Sequence, residues 1–333
     1  MKEKHTKFLF IIFLATLSLS GCSPVSPQGD IFIEEELGAY AFGPLVDVDM
    51  DELIQFEYDG EEIRIPYHVE GHAPGIVSEL GWFLFVGGLP QPTRLETTEG
   101  EIFRETAYMH NFALEFMERI EFYVVFTPVS GILGERVGMI AGALLRPDFI
   151  PESIQRPAFG IFHALTATIP AEILMNSGAQ STWIEYSDFR LDPISENIII
   201  DEEVYLYTNE SLEELLVQFP RIGLSPSEGE LQLNYEEVIF AHDGQVMLRF
   251  FVYGGQEVTN RITFFVNHQP VQINDADFIE VSMEHGKMAI IDVAFSLEDD
   301  ASHFNSLYAI MITGGDAQMQ DIFKTRTLLL VNE

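Results

Sequence analysis

Two stretches, WFLFVGGLPQ (82–91) and ITFFVNHQPV (262–271), decide the fold. Each is an apolar, β-branched and aromatic run that breaks at a short turn and resumes at a proline, the pattern of a strand entering a hairpin. Phe85, Val86 and Pro90 of the first match Phe265, Val266 and Pro270 of the second. Working outward, IEFYVVF (120–126) resembles AIIDVAF (289–295), so that Ile120, Phe122, Val124 and Phe126 share a face like that of Ala289, Ile291, Val293 and Phe295. VGMIAGAL (137–144) aligns with LYAIMITG (307–314), and IRIPYHVEG (63–71) with MLRFFVYGG (247–255). Strand order and spacing recur at low identity, as in a diverged repeat.

The rest of the chain has the same texture. Strands are expected over 62–71, 81–86, 118–127, 137–145, 198–207, 246–253, 262–266, 288–295, 307–313 and 325–331, separated by Gly, Pro, Asn and Asp clusters. Val246, Leu248, Phe250 and Val252 alternate with Met247, Arg249, Phe251 and Tyr253, the period-two signature of a half-buried strand. One helix start stands out: the capping box Ser211-Leu-Glu-Glu214 leads into Leu215, Leu216 and Phe219 before Pro220 stops it. Many short strands without alternating helices predict an all-β chain of two tandem antiparallel, immunoglobulin-like β-sandwiches. They are placed at 38–200 and 228–333, with 201–227 as a linker carrying the short helix. Two small barrels are the alternative. The cysteine–tryptophan–cysteine pattern of antibody domains is absent.

The first residues carry an address. Lys2, Lys4 and Lys7 precede FLFIIFLATLSL (8–19), a charge-free apolar run of signal-peptide length and too short to span a bilayer comfortably. It ends in Leu19-Ser20-Gly21-Cys22, which resembles the lipobox of bacterial lipoproteins. The resemblance implies a signal peptide over 1–21, diacylglyceryl attachment to the Cys22 thiol, cleavage before Cys22, and acylation of the new amino group by a chain such as palmitate. Cys22 is the only cysteine, so no intrachain disulfide can form, and a lipid would cap a thiol otherwise exposed to an oxidising compartment. Two acyl chains give stable anchoring where one is marginal. Residues 22–37 would then be the lipidated end and a Pro/Ser/Gly tether, with the protein on the extracytoplasmic face of the membrane.

Cleavage would leave 312 residues, with 14 basic against 52 acidic side chains and a formal charge of −38. Nucleic acid, which needs clustered Lys and Arg, is excluded as a partner, and anionic headgroups would repel the chain. The acidity reads first as a solvated surface. Binding of calcium or a basic partner competes with that reading. With 47% hydrophobic residues and 27 Phe the chain is no disordered acidic tail.

Candidate chemistry is sparse. Asp47, Asp49 and Asp51 have the spacing that opens an EF-hand, but Glu52 stands where Gly is needed and Tyr58 where Glu is needed. Asn274, Asp275 and Asp277, and Glu298, Asp299 and Asp300, are loop clusters that could share a cation or cap turns. His68 and His72 straddle a strand end, with His68 expected to face outward as a surface histidine. Trp82 is expected in the core, and Trp183 is a candidate for a sugar platform. No nucleophile motif is present, and no cofactor is implied. The sequence therefore points to a non-enzymatic binding, adhesion or scaffolding module, whose partner is an envelope protein or polysaccharide. An envelope hydrolase or carbohydrate-active enzyme, with acidic residues in a cleft between the domains, is the alternative.

Overall fold

The computed structural model describes residues 39–46, 53–155, 159, 162–168, 170–179, 181–193, 221–227, 238–254, 258–284, 286–298, 301–314 and 321–333. Cys22, the capping box and the strand expected at 198–207 lie outside them. All regular structure among the described residues is strand. In chain order come β1 (Tyr40–Pro44), β2 (Ile54–Tyr58), β3 (Ile63–Gly71), β4 (Ser78–Val86), β5 (Leu89–Gln91) and β6 (Thr93–Glu96). Next are β7 (Ile102–Ala107), β8 (Met109–Leu114), β9 (Arg119–Phe126), β10 (Arg136–Leu145), β11 (Leu165–Ala167) and β12 (Ala171–Met175). Then follow β13 (Glu185–Tyr186), β14 (Arg190–Pro193), β15 (Arg221–Pro226), β16 (Val238–Ala241), β17 (Gln245–Tyr253) and β18 (Thr259–Val266). The chain closes with β19 (Gln269–Val271), β20 (Phe278–Ser282), β21 (Lys287–Ser296), β22 (Phe304–Thr313), β23 (Ile322–Lys324) and β24 (Leu328–Asn332).

These strands form four sheets in two face-to-face pairs. In the first sandwich an outer sheet, β1-β3-β9-β6-β7, faces an inner sheet, β2-β12-β10-β4, whose last strand also pairs with β5 and β8. Between them lies a core of Ile65, Val69, Trp82, Leu84, Leu95, Phe122 and their neighbours. In the second, the outer sheet β15-β17-β21-β14 faces the inner sheet β16-β24-β22-β18-β20-β13. Its core gathers Leu248, Phe250, Phe264, Ile279, Ile291, Leu307 and Leu330. Strands β14 and β15 belong to this outer sheet, so the second sandwich recruits residues that the sequence reading assigned to the first domain and to the linker. Ile222 and Leu224 alternate as strand residues should, but six residues beside a linker-like segment are too short a signal to place. The sheets are not wholly antiparallel either: β2·β12, β13·β20 and β16·β24 run parallel.

The repeat is real in three dimensions, with two corrections of register. β4·β10 and β4·β5 pair as β18·β22 and β18·β19 do, and Leu84↔Gln91 has its counterpart in Phe264↔Val271. Met139↔Val86 corresponds to Leu307↔Val266, so MIAGALL (139–145) matches LYAIMIT (307–313), two residues from the sequence alignment. A slip of two preserves the face, which is why it escaped notice. IRIPYHVEG (63–71) matches VMLRFFVYG (246–254): Ile63, Ile65, Tyr67 and Val69 are buried, as are Val246, Leu248, Phe250 and Val252. Here the slip was one residue, which reverses every side chain. The correspondence extends to the parallel edge pairs and to β11 and β23. Thr168 and Thr325 clamp equivalent backbone, each with its N–H on the carbonyl of Ala141 or Ala309 and its hydroxyl accepting that residue's N–H.

The two sandwiches are joined back to back through their inner sheets. The second faces of β4, β10, β18 and β22 put Phe83, Phe85, Ile140, Leu144, Phe265, Tyr308, Ile310 and Ile312 into one shared apolar layer. Phe85 meets Phe265 edge to face at 6.3 Å. Since these two residues are each other's equivalents, the sandwiches are related by an approximate two-fold axis through that contact. The loop after β10 reinforces the joint, as Phe159, with Phe149 and Ile150 beside it, covers Leu329 and Val331 on β24. Residues Leu37–Glu333 form one compact unit. Phe85→Ala, at a side chain 1% exposed, should lower unfolding free energy by about 3–5 kcal/mol in urea titrations. Met247→Ala, at a side chain 61% exposed, should change it by no more than about 0.5 kcal/mol.

Candidate functional site

The residues singled out in the sequence do not converge. Asp47, Asp49, Asp51, Glu52, Asp299 and Asp300 lie outside the described residues, as does Cys22. Asn274 and Asp277 are occupied by their own turn. The Asn274 amide donates to the Asp292 carbonyl and accepts from Ala294 N–H, while the Asp277 carboxylate accepts from Ile184 N–H and the Gln272 amide. Glu298 is exposed. His68 faces away from the core but is half-buried beneath β1, with its Nδ1 enclosed and unpartnered. Burial, more than the nearby Arg119, holds its pKa below the ordinary value. His72 lies 3.8 Å from Glu70, so the two histidines do not act together. Trp82 is fully buried, edge-on to Tyr67 at 5.2 Å. Trp183, partly exposed, meets Tyr108 edge to face at 6.5 Å. Among the described residues no group of three or more His, Cys, Asp or Glu could hold a metal ion.

What the structure does bring together is a polar seam at one side of the joint. It starts from the hairpin turn after β18, where Asn267 and His268 have φ of 46° and 67°. The equivalent turn in the first sandwich is Gly87-Gly88, with φ of 59° and 79°. Such a two-residue turn needs positive φ at both positions, which glycine adopts freely and histidine at a cost of roughly 1–3 kcal/mol. Asn267 offsets that strain, since its amide group donates to Asn305 and accepts from Ser306 N–H. His268 then reaches across the joint. Its Nε2 lies 2.6 Å from the Pro147 carbonyl, and its Nδ1 lies 2.9 Å from the Tyr308 hydroxyl. A carbonyl only accepts, so Nε2 carries the proton, and Nδ1 accepts from Tyr308. The neutral ring fits this geometry.

His163, from the loop after β10, lies against His268 at 5.3 Å between ring centres and also has a left-handed backbone, with φ of 61°. It is 2% exposed, and neither ring nitrogen has a hydrogen-bond partner. Beyond Tyr308 stands Lys324, at the end of β23, with its ammonium 4.8 Å over the phenol ring. Lys324 as a residue is only half-buried, but its amine is tucked deep in the joint, donating to the Thr325 carbonyl and the Thr327 hydroxyl.

Burial dominates the electrostatics of the seam. It pushes His163 down to about 3, helped by the nearby Lys324 and His268. It also lowers His268, against the Pro147 carbonyl and Asp148. Lys324 falls to about 7, and Tyr308 is raised well above its ordinary value. Burial thus disfavours charge throughout the seam, favouring two neutral imidazoles and a protonated phenol and moving Lys324 toward its neutral, nucleophilic form. The first sandwich has nothing comparable at the equivalent places, where Gly88, Ile140 and Ala167 stand for His268, Tyr308 and Lys324. On the other side of the two-fold axis Arg261 instead donates to the Gly87 carbonyl. The sequence reading missed the seam because its members are far apart in the chain and match no motif. The mismatch between Ala167 and Lys324 would have been the one signal, had β11 and β23 been recognised.

No protein-family model matches the chain, and no curated protein matches it. Among solved structures, a chaperone–tip adhesion subunit pre-assembly complex from the archaic chaperone-usher Csu pili of Acinetobacter baumannii matches at 7% identity. The match covers 86% of this chain and 98% of that one, with a TM-score of 0.20. A protein of unknown function from Porphyromonas gingivalis W83 matches at 10% identity, 88% and 99% coverage and a TM-score of 0.23. A PapD-like domain of human CEP192 matches at 12% identity, covering 48% of this chain and 99% of that one, with a TM-score of 0.21. At these TM-scores the architecture rests on the sheets and cores themselves.

Each seam histidine has a folded pKa below its unfolded value. Between about 3 and 6.5 the unfolded chain takes up a proton that folded His163 refuses, so stability is greatest above that window and falls as pH drops through it. The melting temperature should therefore rise from pH 4 to pH 7. In His163→Phe the rise should be visibly shallower, and identical slopes in the two proteins would place the effect elsewhere.

Proposed function

We propose that the chain is a lipid-anchored protein of the extracytoplasmic membrane face, whose two immunoglobulin-like sandwiches, fused back to back, bind or scaffold a partner at the cell envelope. The observation that carries this reading is Leu19-Ser20-Gly21-Cys22 behind a basic, apolar leader, followed by a Pro/Ser/Gly tether. The composition supports it. A formal charge of −38 on the mature chain keeps the body away from anionic lipid, so two acyl chains on Cys22 would hold what the surface would repel. The joint between the sandwiches is also pertinent, because a hydrolase of the carbohydrate-active type needs two carboxylates facing each other across a cleft. That joint is filled by Phe83, Phe85, Phe265 and Tyr308, and its polar side carries His163, His268 and Lys324. Binding through the outward surfaces is the reading this arrangement favours, with the border between the two domains falling before β13.

Intact mass measurement of the mature protein tests the anchor. The expected chain begins at Cys22 and carries a diacylglyceryl group, and Cys22→Ala should leave the membrane fraction or remain uncleaved. An unmodified Cys22, or a start elsewhere, overturns the proposal. Pull-down from envelope extracts with the non-lipidated protein tests the binding half.

A further inference from the structure

We propose that Arg104, on the edge strand β7, is the anchor of a carboxylate-binding site whose ligand is a peptide carboxylate carried next to an apolar side chain on a partner polypeptide. The proposal rests on reading the chain as a binding protein and names the chemistry of what is bound.

The site is built by an irregular edge. β7 pairs only with β6, and the pairing steps from Leu95↔Arg104 to Glu96↔Ile102, leaving Phe103 as an extra residue. A bulge of this kind re-aims side chains at a sheet edge and discourages simple strand addition. Here it brings the Phe103 ring to 5.1 Å from the Arg104 guanidinium carbon. The Phe112 ring, from β8 at the edge of the inner sheet, lies 5.0 Å from the same carbon. The guanidinium is thus flanked by two aromatic rings at the open side of the first sandwich, next to exposed Ile102 and half-open Phe103.

Aromatic neighbours stabilise a guanidinium through its face and leave its in-plane N–H groups to bind a carboxylate, often with two parallel hydrogen bonds. Among the described residues Arg104 has no such carboxylate. Its Nε is enclosed without a hydrogen-bond partner, and burial alone lowers its pKa. Eight other arginines differ in this: Arg64, Arg94, Arg119, Arg136, Arg146, Arg190, Arg249 and Arg261 each pair with Asp or Glu. With no carboxylate of the described residues on it, this aromatic-flanked arginine is a place for an acid supplied by a partner. The exposed Ile102 and Phe103 supply the apolar contact beside it.

Three probes settle the matter with the mature chain: acetyl-Phe-Ala with a free chain end, acetyl-Phe-Asp-amide with a side-chain carboxylate, and acetyl-Phe-Ala-amide with none. Binding is followed by calorimetry and by the Arg104 Nε–H resonance. At least one of the two acids should bind, shifting that resonance, and the neutral amide should bind at least about tenfold more weakly. Which acid binds tells a chain end from a side chain. Arg104→Gln should lose binding about tenfold or more, and so should Arg104→Lys, which keeps the charge but lacks the planar fork. Melting curves of both variants verify that they are folded. Equal binding of the amide, undiminished binding to folded Arg104→Gln, or no binding of either acid at about 10 mM would each overturn the site. None of these results touches the anchored-protein reading, which the mass of the N-terminus and the pull-down test separately.

Discussion

The structure depends on the burial of two sheet faces that a single sandwich would have left in water. Strands β4, β10, β18 and β22 are buried along nearly their whole length, so each inner sheet has a second apolar face to cover. Phe83, Phe85, Ile140 and Leu144 on one side find Phe265, Tyr308, Ile310 and Ile312 on the other. Each large apolar side chain withdrawn from water is worth roughly 1.5–3 kcal/mol, and an exposed patch of that size invites association. Covering the faces with each other removes the hazard and makes the two sandwiches one body.

The symmetry of that joint explains why it could diverge. Around the Phe85–Phe265 contact, equivalent strands of the two halves lie against each other, so every local environment occurs twice. One copy has small or apolar residues, with Gly88 in the turn, Ile140 on the strand and Ala167 at the end of β11. The other copy took His268, Tyr308 and Lys324, and the loop after β10 delivered His163. The Thr168 and Thr325 clamps remained the same in both, so the backbone frame was kept while the seam changed. Placing polar groups there has an energetic cost, visible in the orphaned nitrogens of His163 and the left-handed backbones at His163 and His268. A strained, partly unsatisfied cluster confined to one of two equivalent positions is the place where the two halves differ chemically.

Much of this was legible in the chain, and the limits have physical causes. Outer strands β3, β9, β17 and β21 have a wet face, so their alternation marks both strand and orientation. Inner strands read as continuous apolar runs, which announces two buried faces without naming what covers the second. Elements of two or three residues, such as β11, β13 and β23, are too short for any periodicity, and the parallel partners of β2 and β16 lie far along the chain. The repeat was visible through Phe85, Val86 and Pro90, and alternation showed the apolar faces of both IRIPYHVEG and its counterpart, but their low identity left the alignment one residue out. Arg104 and His163 left no trace in the sequence, and Lys324 only its mismatch with Ala167 in a repeat of very short strands. What distinguishes them is burial or a missing partner, and both are properties of the folded chain.

The distribution of positive charge follows from the same scarcity. With 17 basic residues among 53 acids, the outer sheets use arginine to break up negative charge. Arg94 bridges Glu62 and Glu96, and Arg64 on β3 reaches Glu96 on β6 across the intervening β9, over the Tyr123 ring. The hydrogen bonds from Arg94 hold the Glu62 carboxyl below its usual range. An exposed pair such as Arg94–Glu62 contributes roughly 0–1 kcal/mol, so stability alone does not account for it, while Glu96 is largely buried between its two arginines. Their effect is on repulsion. Each guanidinium offsets the charge of the carboxylates it touches, in a chain where acids outnumber bases about threefold. Arg64, Arg94, Arg119, Arg190 and Arg249 lie on the outer sheets, while Arg136 and Arg261 lie on the inner ones. Arg261 also donates to the Gly87 carbonyl of the other sandwich, so the polar groups of the joint include a paired arginine as well as histidine, tyrosine and lysine.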